Sequence, residues 1–204
     1  MAASKAKLDF ILVARHPALD FVNTLGWRFF FDGPEEYLRS FDDLLHFFVQ
    51  GRLLTSRQAN HLKLSNSPRA AARVLLRAKK LREAIAGVFY TRLDQGSSSA
   101  TVLKAMKRYF HVAERYKNLI WAGPNFHLGW TKMETAPEYP LWLLVRSASN
   151  LIISENIQNV RACDNPDCRR LFLHSTKVRP RRWCHMAVCG NRIKQRRFKA
   201  SSKS

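Results

Sequence analysis

All four cysteines of the chain fall in two pairs of identical C-x4-C spacing, CDNPDC at 163–168 and CHMAVC at 184–189. Fifteen residues separate the pairs. Four thiols so crowded either close two disulfides or grip one metal ion. The paired spacing, and the Asn165-Pro166 turn inside the first pair, point to metal. Zinc takes four ligands in a tetrahedron, and a shell filled by four thiolates leaves no open position for water or substrate. Cys163, Cys168, Cys184 and Cys189 are therefore read as holding one structural Zn²⁺. His174 and His185 are close in sequence, but the shell is already full. Cys184 is expected to end a strand (RRWC), and Cys189 to sit in the first turn of a helix, where the helix N-terminus favours the thiolate. Residues 163–198 carry nine sizeable apolar side chains. These are too few to order the segment alone, so it should need both the ion and contacts with the rest of the chain.

The charge is as uneven as the cysteines. The formal net charge is +20, and residues 161–204 hold 13 Lys/Arg against two Asp/Glu. Such a local field attracts polyanions and predicts salt-sensitive association. After the last cysteine the chain reads GNRIKQRRFK, with five cations between Arg192 and Lys199. Continued as a helix, this segment has only Ile193 and Phe198 as apolar residues and is otherwise basic. A helix fits the major groove of duplex DNA, where Arg reads guanine and Asn or Gln reads adenine. The candidate DNA-contacting residues are Arg181, Arg182, Asn191, Arg192, Lys194, Gln195, Arg196, Arg197 and Lys199. Arg179 adds to the same field.

The first 158 residues read as a mainly helical domain. Asp32-Gly33-Pro34 marks a turn, with Pro34 expected to open a helix that carries Glu35 and Glu36 at its positive end and runs to Gly51. Thr55 caps a helix through about Lys63. Ser67-Pro68 opens the strongest helical pattern, which Gly96 closes. Ser97–Ser99 form a loop and cap. In the next helix, Val102, Leu103, Met106, Tyr109, Phe110 and Ala113 are expected to face inward. Between Leu119 and Lys132, a turn at Gly123-Pro124 predicts a small hairpin. Helix resumes near Pro140, and the stretch Glu155 to Asn159 marks a boundary. The domains are thus 1–158, helical with one β-hairpin, and 159–204, a zinc-bound module of short strands and one basic helix. Within HPALDFVNT (16–24), His16, Asp20 and Asn23 are candidates for a ligand pocket. The competing reading has Asp20, Asn23 or Thr24 bonding local backbone while Leu19, Phe21 and Val22 pack.

Several separated motifs together resemble the CGNR zinc-finger family: RRWC at 181–184, Met186, Cys189-Gly190-Asn191-Arg192 and the basic run ending at Phe198. CDNPDC and LFL at 171–173 resemble its first ligand pair and following strand. Arg169-Arg170, His174 and His185 depart from the usual pattern at the surface and leave the ligand set intact. The N-terminal part, through HPALDFVNT, Trp27 and FDDLLHFFVQGRLL (41–54), looks like the ABATE domain that accompanies this finger. The resemblance implies a bacterial DNA-binding transcription regulator, whose helical domain senses a small-molecule effector, dimerises or binds a partner.

No run of 18 apolar residues occurs, so no transmembrane helix is expected. The apolar stretch Phe10–Ala14 is too brief for a secretory signal, which makes a cytoplasmic location the expectation. HExxH, P-loop, GxGxxG and GxSxG signatures are all lacking, and the chain is read as a non-enzyme. RNA binding is the alternative, with Trp183 and Phe198 as stacking platforms. A homodimer would let one small module read two half-sites.

Overall fold

The first helix of the described residues, α1 (Pro17–Val22), is six residues long and apolar on nearly every side. Pro17 occupies its first turn, and Ala18, Leu19, Phe21 and Val22 are fully buried. A helix this short has little stability of its own, so its place is fixed by what packs around it. The computed structural model describes residues 9–96, 100–131, 135–174 and 181–201, with only the backbone of Arg197.

α1 packs on α4 (Pro68–Leu93) and α6 (Tyr139–Ile153) and meets α2 (Phe41–Gln50) through Phe21 and Phe47; α3 (Ser56–Leu64) lies against α2, and α5 (Ala100–Arg115) against α4 and α6. Ser40 and Thr55 open α2 and α3 with reciprocal capping boxes to Asp43 and Gln58. Ser67 caps α4 at the Ala70 amide, with Pro68 in the first turn. Each cap satisfies amide donors that would otherwise lack a partner. Strands β1 (Leu25–Gly26) and β2 (Glu35–Glu36) pair antiparallel. A Cβ at Gly26 would stand 2.6 Å from the Tyr37 hydroxyl oxygen, so only glycine lets the chain pass beneath that ring.

The expected helix start at Pro34 is corrected here. Glu35 and Glu36 lie in a strand, and α2 begins at Phe41. Ser40 with Asp43 supplies a stronger start signal than Pro34 does. Glu36 is drawn instead to Arg82 of α4, which is 3% exposed and donates to both carboxylate oxygens at 2.8 and 2.7 Å. Arg82 also reaches Thr24 Oγ1 at 3.1 Å. Burial pushes the Glu36 carboxyl up, yet hydrogen bonds and charge from Arg82 hold it below the ordinary carboxylate range.

β3 (Lys117–Ala122) and β4 (Asn125–Trp130) form the expected hairpin around Gly123, whose φ of +62° suits glycine. Trp130, at the base of the hairpin, is buried and its indole donates to the Ala113 carbonyl at 3.0 Å. On α5, Met106 and Ala113 face the core as expected, but Leu103 and Phe110 are 44% and 42% exposed. Leu103 and Phe110 were expected to face inward; the shared face of α4 and α6 is too narrow to cover them. Residues 97–99 and Lys132 lie outside the described residues.

Of the three candidate pocket residues, the fold brings two together. His16 and Asp20 border a shallow hollow of about 190 Å³, whereas Asn23 is buried and turned toward Leu171. Asp20 is 8% exposed and accepts from the Ala14 amide at 2.9 Å. Thr24 donates to the Phe21 carbonyl at 2.7 Å. Asp20 and Thr24 thus bond local backbone, and Asn23 does not.

Burial raises the Asp20 pKa to about 6, against the pull of the Ala14 and Val13 amides and of Arg170 and Arg181. A carboxylate raised in the fold favours the protonated folded form, so its stabilising effect is lost as pH rises through about 4 to 6. Asp20→Asn keeps the acceptor and removes the charge. We expect it to raise unfolding stability at pH 7.5 by about 1–3 kcal/mol and to leave it unchanged below pH 4, as read by urea titration at both pH values.

Candidate metal centre and basic helix

β5 (Val160–Ala162) and β6 (Leu171–Leu173) pair antiparallel, and the first cysteine pair sits on the loop that joins them. Asn165 is fully buried, and its side-chain oxygen accepts from the Asp167 amide at 3.1 Å. The Asn165 carbonyl then accepts from the Cys168 and Arg169 amides, both at 3.0 Å. Arg169 closes the turn in a left-handed conformation, φ +45°. Asn165-Pro166 thus folds the loop tightly enough to aim two thiols inward. Opposite, Asp164 N–H bonds the Arg182 carbonyl at 2.9 Å, tying the two cysteine segments together.

Cys184 was expected to end a strand, but residues 181–184 form none. Their backbone is bent so that Arg181 can turn inward. Cys189 lies in a single π-turn, Met186–Gly190, that leads straight into α7 (Asn191–Ser201). The His185 carbonyl accepts from the Cys189 amide at 2.9 Å and from the Gly190 amide at 3.4 Å, the second being the i→i−5 bond of the wider turn.

All four cysteines are buried, and their Sγ atoms lie within 4.8 Å of one another. The Cys168–Cys184 and Cys184–Cys189 sulfur separations are both 3.6 Å. A zinc tetrahedron with bonds of about 2.3 Å has sulfur–sulfur edges of about 3.8 Å, so the donor set fits one ion. Without a cation the thiols compete. Hydrogen bonds from Cys168, Cys184 and Cys189 pull Cys163 far below the usual thiol range. Contact with Cys163 pushes Cys168 and Cys184 far above it. A divalent cation removes that conflict by taking all four as thiolates. One structural zinc, held by Cys163, Cys168, Cys184 and Cys189, is what this cluster is built for. It supplies rigidity and no open coordination position.

The centre is also joined to the helical body. The Asn23 side chain donates to the Leu171 carbonyl and accepts from the Leu171 amide, both at 2.9 Å. In this way α1 acts as a neighbouring strand would toward β6. Leu173 N–H bonds the Ala14 carbonyl at 2.9 Å, and Tyr90 of α4 donates to the Arg169 carbonyl at 2.9 Å. The Arg169 guanidinium lies 5.4 Å from both the Phe29 and Tyr90 ring centres. Buried residues of the body and all four cysteines belong to one continuous apolar cluster.

The cationic candidates divide by environment. Arg181 is turned inward: its guanidinium lies 4.3 Å over Phe172 and donates to the carbonyls of Val13, Trp183 and Cys184. Those three bonds commit three of its five N–H donors to the fold. Arg182 pairs with Asp164 at 2.6 Å and lies 5.2 Å from the Trp183 ring centre. Arg196 pairs with Asp167 at 2.6 Å. Arg192 is exposed yet stacked 4.5 Å over Trp27 of the body. Asn191, Lys194, Gln195 and Lys199 are exposed, and neither lysine forms an ion pair with a described residue. The Arg197 side chain and Arg179 lie outside the described residues. Sequence reasoning missed the two acids of the first cysteine pair as anchors. Their signal was there, since Asp164 and Asp167 are the sole acidic residues in the most basic segment.

Removing zinc should therefore loosen more than the finger. Stoichiometric chelation is expected to lower the melting temperature of the whole chain in one transition, because the cysteines share its core. A body transition that stays in place, in calorimetry with and without chelator, would count against this joint. Asn23→Ala strips partners from two buried backbone groups. It should destabilise the chain by about 1–3 kcal/mol in urea titration while leaving zinc content at one per chain.

Residues 159–201 match the family model described as the CGNR zinc finger. No curated protein matches the chain. Residues 15–155, more than half of the sequence, match the model of the ABATE family, described as a putative stress-induced transcription regulator, and the chain belongs to that family.

Proposed function

We propose that the protein is a transcription regulator that binds duplex DNA through the outer face of α7, as a binding protein and not an enzyme. The observation that carries this reading is the way α7 is mounted. It grows directly out of the π-turn that holds Cys189, and Arg192 and Arg196 brace it against Trp27 and Asp167. What remains outward is Asn191, Lys194, Gln195 and Lys199: two amides suited to base edges and two cations suited to phosphates. A braced helix loses little entropy on entering a groove, which favours affinity.

Single-stranded RNA is the competing partner. Trp183, half-buried beneath Arg182, supports stacking poorly. Phe198 is 74% exposed and is the stronger platform of the two. One aromatic beside four polar groups favours the duplex. With DNA as its partner, the same proposal has the protein act in the cytoplasm, and its bacterial origin rests on the family resemblance alone. No helix among the described residues is long and apolar enough to cross a membrane.

The test is random-site selection on duplex DNA followed by anisotropy titration across salt. Lys194→Ala with Lys199→Ala should weaken binding at every sequence and reduce the log–log salt slope by about 1.8, at roughly 0.9 per phosphate contact. Asn191→Ala or Gln195→Ala should cost about 1–3 kcal/mol of discrimination between selected and scrambled sites. Equal affinity of the wild type and the double lysine variant would overturn the reading. So would preference for single-stranded RNA over duplex at matched salt.

A further inference from the structure

We propose that the cleft between α4, α5 and α6 binds a small amphipathic carboxylate. The inference goes beyond the nucleic-acid reading, and its test needs no DNA, so either can fail alone.

The cleft has a volume of about 430 Å³, within the range of small-molecule sites. Its apolar wall comes from Leu141, Trp142 and Val145 of α6, extended by Val112 of α5. All three α6 residues are almost completely buried, so the wall is rigid and already formed. Tyr116 stacks on Trp142 at 4.6 Å and 13°, which holds the indole flat.

The rim decides the ligand class. Arg77 and Lys80 of α4 and Arg108 of α5 line it, with one acid, Glu138. Glu138 is already bonded to Arg77 at 2.7 Å, and the Tyr109 hydroxyl donates to the Arg77 carbonyl at 3.1 Å. Lys80 and Arg108 form no ion pair with a described residue, so two cations stand over an apolar wall with no anion of their own. In the same wall the Trp142 indole N–H is buried and has no acceptor among the described residues. An apolar body against α6 and a carboxylate between Lys80 and Arg108 would satisfy both halves of the cleft. A neutral or cationic ligand would satisfy only one.

The probes are benzoate, 1-naphthoate and octanoate, with 1-naphthalenemethanol and 1-naphthylmethylammonium as neutral and cationic controls. Binding to the zinc-loaded protein is followed by calorimetry and by the Trp142 indole resonance, assigned with Trp142→Phe. At least one carboxylate should saturate and shift that resonance. The alcohol should bind about tenfold more weakly, and the ammonium not measurably. Lys80→Glu with Arg108→Glu should weaken carboxylate binding tenfold or more with zinc content and melting temperature unchanged. Val112→Trp, at a half-exposed position, should occlude the cleft with the same loss. Failure of all three carboxylates at millimolar concentration would overturn the proposal. So would an alcohol that binds as tightly, or binding that survives the charge reversal.

Discussion

Four sulfur atoms within 4.8 Å of one another are the constraint on which the C-terminal module of this molecule depends. Buried thiolates at that spacing repel, and only a divalent cation makes the arrangement favourable. Once it is satisfied, the loop 163–168 and the turn 184–189 are locked in one place, and α7 has a fixed point of departure. The segment between them needs few apolar contacts of its own. Leu171 and Phe172 are fully buried and belong to the same apolar cluster as the body.

The basic residues show how charge is managed around such a centre. Zinc with four thiolates carries a net charge of −2, and the nearest cations are recruited to it or to the two acids beside it. Arg181 is bonded to the carbonyl of a ligand, and Arg182 and Arg196 are paired with Asp164 and Asp167. A count of positive charges therefore overstates what is free to meet a polyanion. Asn191, Lys194, Gln195 and Lys199 stay exposed, while Arg192 and Arg196 position the helix that presents them.

Much of this was legible in the residues, for identifiable reasons. The zinc ligands were readable because their spacing has few other uses. The helices α3 and α4 were readable because caps and periodicity agree, and α6 because Pro140 opens a clear apolar face. The start of α2 was misplaced because Pro34 followed by two glutamates imitates a first turn; the deciding partner of Glu36, Arg82, lies 46 positions away. The strand expected at RRWC failed for a similar reason, since Arg181 bends the backbone toward Val13, 168 positions earlier. Asn23 resisted reading most: nothing local distinguishes an amide that caps its own helix from one that completes a strand 148 positions on.

That last contact ties the first helix to the last strand among the described residues. Closing so long a loop is entropically costly and is repaid only when both ends are present. During synthesis the Asn23 amide waits without this partner until Leu171 has emerged. Metal capture follows later still, once Cys189 has been made, and a chain broken off before Leu171 leaves α1 packed on the other helices of the body alone.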